Sequence, residues 1–156
     1  MISVKINLSD EQLRRVADDP APFGSALFSG MTDVKNYLTN YIITNKLSGQ
    51  VLNRVTGTLQ RSMEEGAIVE QTAPAAARLV FRLLDPKALS YGRLWEFGGT
   101  IPGYIHHNLF GRGITAVMPE RTVAARPYTA PSISESLDVI RRLIAAPLVE
   151  AFKGHA

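Results

Sequence analysis

Gly66-Ala67-Ile68-Val69-Glu70-Gln71-Thr72-Ala73-Pro74-Ala75-Ala76-Ala77-Arg78-Leu79-Val80-Phe81-Arg82-Leu83-Leu84 is the stretch on which the fold turns. Gly66–Thr72 and Ala77–Leu84 are rich in β-branched and apolar residues, and Ala73-Pro74-Ala75-Ala76 suits the connection of a hairpin. In the second strand Arg78 and Arg82 fall on one side of the pleat, because side chains alternate along a strand. Asp85-Pro86 ends it, since proline cannot donate to a ladder.

Before the hairpin, Phe28, Met31, Val34, Leu38, Tyr41 and Ile42 recur at three- and four-residue steps. That spacing predicts one long amphipathic helix from about Ser25 to Leu47. Ser48-Gly49 ends or bends it. Upstream, Met1–Asn7 alternates at Ile2, Val4 and Ile6 and reads as a short strand. Ser9 with Gln12 has the spacing of a capping box for a short helix that stops before Pro20. Between the long helix and the hairpin, Gln50–Arg54 leads into a Thr56-Gly57-Thr58 turn, and Leu59–Met63 reads as the start of a strand.

After the hairpin, Lys87–Phe97 reads as a short helix carrying Leu89, Leu94, Trp95 and Phe97. Gly98–Ala125, with Pro102, Pro119 and Gly111-Arg112-Gly113 near its tip, reads as a long hairpin or extended loop. Ser132–Phe152 predicts a final helix with Ile133, Leu137, Ile140, Ile144 and Leu148 on one face and a kink at Pro147. The order of elements is that of a single α+β domain over residues 1–156. A small antiparallel sheet is packed by a long N-terminal helix and a C-terminal helix, and a long hairpin loop projects.

Composition narrows the function classes. The chain has 156 residues, 46% of them hydrophobic and 20% charged, and carries a formal net charge of +3. That charge is spread from Arg14 to Arg142 among acids, where a dedicated nucleic-acid binder concentrates it in a stripe. Arginine outnumbers lysine, which suits subunit contacts, because its planar fork makes paired hydrogen bonds and stacks on aromatics. Cysteine is absent, so disulfide and thiolate chemistry are excluded. No run approaches the ~18 apolar residues of a membrane span, and the first residues lack the pattern of a secretion signal.

The candidate chemistry is thin. His106-His107-Asn108 invites a metal-nuclease reading, but neighbouring side chains on a strand point to opposite faces and would not chelate together. Ser62, near Glu64 and Glu65, lacks a Gly-x-Ser-x-Gly elbow, and reads instead as a solvent-facing polar patch. Neither Gly98-Gly99-Thr100 nor Gly111-Arg112-Gly113 has the spacing of a phosphate-binding loop. The distinctive residues are junctions instead. Trp95 lies four positions after Tyr91, so the two rings stack on one helix face and pack in the core. Glu96 is placed to pair with Arg126 or Arg93, and Gly98 and Gly99 supply a positive-φ exit. In Arg126-Pro127-Tyr128-Thr129-Ala130-Pro131 each proline holds its predecessor extended. Tyr128 plugs into the domain, and Pro131 starts the last helix.

Taken in order, Thr56-Gly57-Thr58-Leu59-Gln60-Arg61-Ser62, Trp95-Glu96-Phe97-Gly98-Gly99-Thr100 and Arg126-Pro127-Tyr128-Thr129-Ala130-Pro131 resemble the tail-completion, or neck, family of long-tailed phages. The lambdoid minor tail protein Z is related to that family. The likeness runs from about Phe28 to Phe152 and includes Leu47-Ser48-Gly49-Gln50-Val51-Leu52. Gly99 is an extra glycine relative to the family pattern, and Tyr128 stands where phenylalanine is commoner.

The resemblance implies a non-enzymatic structural protein of the virion neck or tail, assembled in the host cytoplasm, with no cofactor, metal or membrane. Its implied partners are further copies of itself in a ring, hexameric in form, and the adjoining neck, tail-terminator, tail-tube or tape-measure proteins. DNA would pass through the central channel. Thr56, Gly57, Leu59, Ser62, Trp95, Glu96, Phe97, Gly98, Arg112, Arg126, Pro127, Tyr128 and Pro131 are the expected interface or junction residues. An adaptor in a contractile-tail particle is a variant of the same reading. The alternative from another class is a nucleic-acid-binding or metal-dependent nuclease domain using the arginine-bearing loops with His106 and His107.

Overall fold

The computed structural model describes residues 9–48, 57–109, 111 and 113–153. The expected strand at Met1–Asn7, the Gln50–Arg54 lead, Thr56 and Arg112 lie outside them. The architecture is α+β, as the order of elements predicts.

Helix α1 (Asp10–Asp18) begins directly after Ser9 and stops ahead of Pro20. Helix α2 (Ala21–Ile42) starts four residues earlier than the apolar stripe suggests, because Pro22 sits in its first turn, where a missing N–H costs nothing. It continues as a π-helical turn over Ile43–Leu47. Val34, Leu38 and Ile42 are the fully buried residues of its stripe.

Helix α6 (Leu137–Lys153) lies along α2. Ile140, Ile144 and Leu148 close on Val34 and Leu38, and Leu79 and Phe81 cover this layer from the sheet. The two helices approach closely at Gly30. A methyl group built there would stand 3.0 Å from both the Ile144 Cα and the Leu143 carbonyl oxygen, and 3.2 Å from the Pro147 ring. Pro147 has no N–H to offer that carbonyl, and α6 runs helically through it. The bare Cα of Gly30 therefore packs where the helix ladder is interrupted.

Strands β1 (Ala67–Ala73) and β2 (Ala76–Phe81) form the expected antiparallel hairpin, paired from Ala67↔Phe81 to Gln71↔Ala77, with Pro74-Ala75 at the turn. Leu79 and Phe81 face the helices. On the outer face Glu70 accepts from Arg78 at 2.7 Å and from Arg82 at 2.8 Å, so the two arginines do share a side of the pleat.

Two expectations are corrected here. Leu59–Met63 is not the start of a strand but part of helix α3 (Thr58–Gly66). Gly57, at φ 71°, turns the chain into it, and Ser62, Met63 and Gly66 recur at helical spacing on the buried side. Five residues are too few for that period to show in the sequence.

The final helix is also two helices rather than one. Helix α5 (Thr129–Glu135) precedes α6, with a break at Ser136. Pro131 is the third residue of α5 rather than its herald.

Of the two readings of Gly98–Ala125, a long hairpin or an extended loop, the structure has the hairpin, built as a two-stage β arm. Strands β3 (Gly99–Ile101) and β6 (Arg121–Val123) pair at its base, and β4 (Tyr104–Leu109) and β5 (Ile114–Met118) pair beyond them. Pro102-Gly103 and Pro119-Glu120 face each other between the stages, and proline on both strands removes the donors a continuous ladder needs.

Candidate assembly surface

The arm leaves the domain from the C-terminal end of helix α4 (Pro86–Phe97) and returns into α5. Asp85 caps α4, its carboxylate accepting the N–H groups of Lys87 at 2.7 Å and Ala88 at 2.9 Å. Ser62 is buried rather than solvent-facing. It lies 3% exposed beneath this corner, and its hydroxyl oxygen accepts the Asp85 N–H at 3.4 Å. Leu59 packs with Met63 against Tyr128, so Leu59 and Ser62 of the expected junction segment support the arm from below.

Glu96 fastens the two roots of the arm. It does not pair with Arg126 or Arg93 through its side chain. Its carboxylate accepts the backbone N–H groups of Tyr128 at 2.9 Å, Thr129 at 3.1 Å and Ala130 at 3.4 Å. Those are the orphan donors at the start of α5, whose own N-cap residue makes no side-chain capping bond. A carboxylate there also meets the positive end of the helix dipole. The returning strand thus becomes helical where the outgoing helix supplies its cap.

Trp95 completes the fastening. Its carbonyl accepts the Arg126 N–H at 2.7 Å, and the Arg126 guanidinium lies 5.4 Å from its ring centroid. Tyr91 meets the Trp95 ring in a T-shaped pair, centroids 6.0 Å apart, as the four-residue spacing predicts, but Tyr91 is itself exposed rather than in the core. Trp95 is half-buried at the rim of the core formed by Ile42, Leu47, Met63 and Tyr128.

Tyr128 is the plug the sequence suggests, 3% exposed. Burial, followed by the charge of Glu96, pushes its phenol up to about 12. Its ring fits because Gly92 carries no side chain; a Cβ there would lie 2.9 Å from the Tyr128 hydroxyl and 2.5 Å from Leu83. The Ser132 hydroxyl donates to the Tyr128 carbonyl at 2.5 Å. Gly98 leaves α4 at φ 73°, hard against the Ala125 backbone, as a positive-φ exit requires.

A second tie escaped sequence reasoning. Glu135, at the far end of α5, accepts from the Tyr41 hydroxyl at 2.7 Å and from Lys46 at 2.9 Å. The Lys46 and Tyr41 hydrogen bonds hold its carboxyl below the usual range. These partners lie 94 and 89 positions away, so no local pattern marks the group.

Beyond this fastening the arm is bare. Tyr104 is 49% exposed, Ile105 56%, Ile114 49% and Val117 75%, so apolar side chains meet solvent on both faces. Ile105 and Val117 are cross-strand partners on one face, while Tyr104 and His106 share the other, their rings 6.4 Å apart. His106 and His107 are both exposed and alternate between the faces. Phe97, 76% exposed, stands at the arm's outgoing root, and Pro127 is exposed at its return. Among the described residues no group of three or more histidine, cysteine or acidic side chains is placed to hold a metal ion, and no helix is long and apolar enough to cross a membrane.

No protein-family model, curated protein or solved structure matches the chain.

Proposed function

We propose that this chain is a structural subunit of a tailed-phage particle, acting at the neck in tail completion and head–tail joining by assembling into a ring. The observation that carries this reading is the arm. It is fastened at both roots by Glu96 and Trp95, yet exposes Tyr104, Ile105, Ile114 and Val117 to solvent. An isolated two-stranded hairpin is marginal in water, and apolar residues bare on both its faces call for a partner. A rigid root matters for such a partner, because an arm ordered before contact spends less binding energy on ordering. The ordered likeness of the Thr56–Ser62, Trp95–Thr100 and Arg126–Pro131 segments to neck proteins supplies the particle in which such subunits work.

In this reading no residue performs covalent chemistry. The virion is the site of action, and the neighbours are further copies together with neck, tail-terminator, tail-tube or tape-measure proteins. The test is an in vitro joining assay, in which purified protein is added to tails and heads that lack their neck component. Restored infectious particles, and the protein imaged at the junction, are expected. A protein that binds neither part, alone or combined, would contradict the proposal.

A further inference from the structure

The arm is one hairpin in register but two in hydrogen bonding. Ile101 pairs with Arg121 in its base and Tyr104 with Met118 beyond, which leaves two residues on each strand between the stages. Nothing is inserted on either side, so Pro102 stands opposite Glu120, and Gly103 opposite Pro119. Alternate pairs of an antiparallel ladder exchange N–H···O=C bonds. One of these two adjacent pairs is therefore of the bonded kind, and each contains a proline, which has no N–H. The ladder fails there on both strands at the same level, and pairing resumes as a separate sheet. An interruption on one strand alone is braced by the other strand; two that face each other are not.

The two sides of this joint are held differently. The base is fixed to the body. Gly98 lies against the Ala125 backbone, the Arg126 N–H is bonded to the Trp95 carbonyl at 2.7 Å, and Ile101 and Val123 are half-buried. Beyond the joint, β4 and β5 pack chiefly on each other, and their described side chains are exposed except for half-buried Ala116 and Met118. At the joint itself the strands run close. A Cβ on Gly103 would lie 3.1 Å from both the Glu120 nitrogen and the Met118 carbonyl oxygen. Glycine rotates with the least steric hindrance, and hinges are a few element-terminal residues that absorb a change of backbone angle.

We propose that residues 102–103 and 119–120 form a hinge, on which the outer hairpin turns as a unit over a base fixed to the domain. The arm then presents Tyr104, Ile105 and Val117 over a range of angles, while its root stays set by Glu96 and Trp95. The inference goes beyond the assembly reading and does not depend on it, and its test reads no assembly.

The absence of cysteine allows spin labels to be placed in chosen pairs. One label goes on Lys87→Cys in α4. Its partner is Thr115→Cys on β5, across the joint, or Thr122→Cys on β6, within the base. All three positions are exposed. Circular dichroism checks the fold, and an excess of unlabelled parent keeps the measured distances within one copy. Pulsed dipolar spectroscopy of the frozen protein reads the population of distances rather than their mean. The proposal expects a broader distribution for Lys87→Cys with Thr115→Cys than with Thr122→Cys. Pro102→Thr together with Pro119→Thr, which restores the missing N–H groups, should remove the excess width. Equal widths without the threonines would show that the prolines interrupt pairing without freeing the joint, and would overturn the proposal. A width that the threonines leave unchanged would overturn it too, since the joint would not be its source. Amide hydrogen exchange completes the test. Protection of β4 and β5 above that of unfolded chain is expected of a hairpin that turns whole, whereas exchange at the unfolded rate would show unpairing in place of turning and overturn the hinge.

Discussion

Glu96 and Tyr128, separated by 32 positions, meet where the Tyr128 N–H donates to the Glu96 carboxylate at 2.9 Å. The same carboxylate takes the next two N–H groups of α5, so the last turn of one helix caps the first turn of another across the base of the arm. This side chain sets the start of α5, while the Trp95–Arg126 backbone bond and the buried Tyr128 ring share in anchoring the arm.

Glu96→Ala is therefore expected to destabilise the fold by ~1–2 kcal/mol, as loss of a helix cap does. Urea denaturation followed by circular dichroism measures it. Glu96→Gln should fall between, because an amide oxygen still accepts but the charge at the helix terminus is gone. If Glu96→Ala is as stable as the parent, α5 does not need this cap.

Trp95→Ala is expected to cost about 2–3 kcal/mol, below the range of a fully buried aromatic because the ring sits half-buried at the core's rim. Its backbone bond to Arg126 survives the change. Since Trp95 is the single tryptophan, its fluorescence in the parent reports the state of the arm root directly.

Gly30→Val should destabilise by ~1–3 kcal/mol, since the added atoms meet the α6 backbone at 3.0 Å with no flexible neighbour to yield. Thermal unfolding of the purified protein checks this. An unchanged midpoint would show that α2 and α6 separate freely at that point.

Acid should loosen the tie between α2 and α5. The Glu135 carboxyl is lowered from its ordinary 4.5 by Lys46 and Tyr41. A depressed carboxyl contributes stability that is complete above 4.5 and disappears as pH falls through the lower folded-state value. Glu70, lowered by Arg78 and Arg82, behaves in the same sense. Parent and Glu135→Gln should therefore converge in stability at the acid end and differ at neutral pH. Urea midpoints across that range read the difference, and a constant gap at every pH would contradict it.

The parts of the fold that were legible in the sequence are those whose signal is local. The stripe from Val34 to Ile42 and the spacing of Ile140, Ile144 and Leu148 announce the two helices that build the main core, and the alternation around Arg78 and Arg82 announces the hairpin. Tyr91 over Trp95 follows from a four-residue step. Helix α3 was hidden because Leu59–Met63 is too short to show a period, and its direction comes from Gly57 and from packing under Tyr128. The arm was legible as a long hairpin or an extended loop but no further, because its strands are short and split by Pro102 and Pro119. Glu96 was marked as special by its place among aromatics, but its partners are backbone groups, which leave no trace in residue types. Glu135 gave no signal, since Tyr41 and Lys46 reach it only after α2 and α5 have packed.

The central claim is that this subunit works by ring assembly through its arm. Native mass spectrometry of the purified protein, alone and with isolated tails, tests it most directly, with Val117→Asp as the arm variant. The account predicts a closed assembly of discrete mass, an integral multiple of 17.1 kDa and sixfold by the neck resemblance, that Val117→Asp reduces to single subunits. A 17.1 kDa species at every concentration, with no attachment to tails, would contradict it.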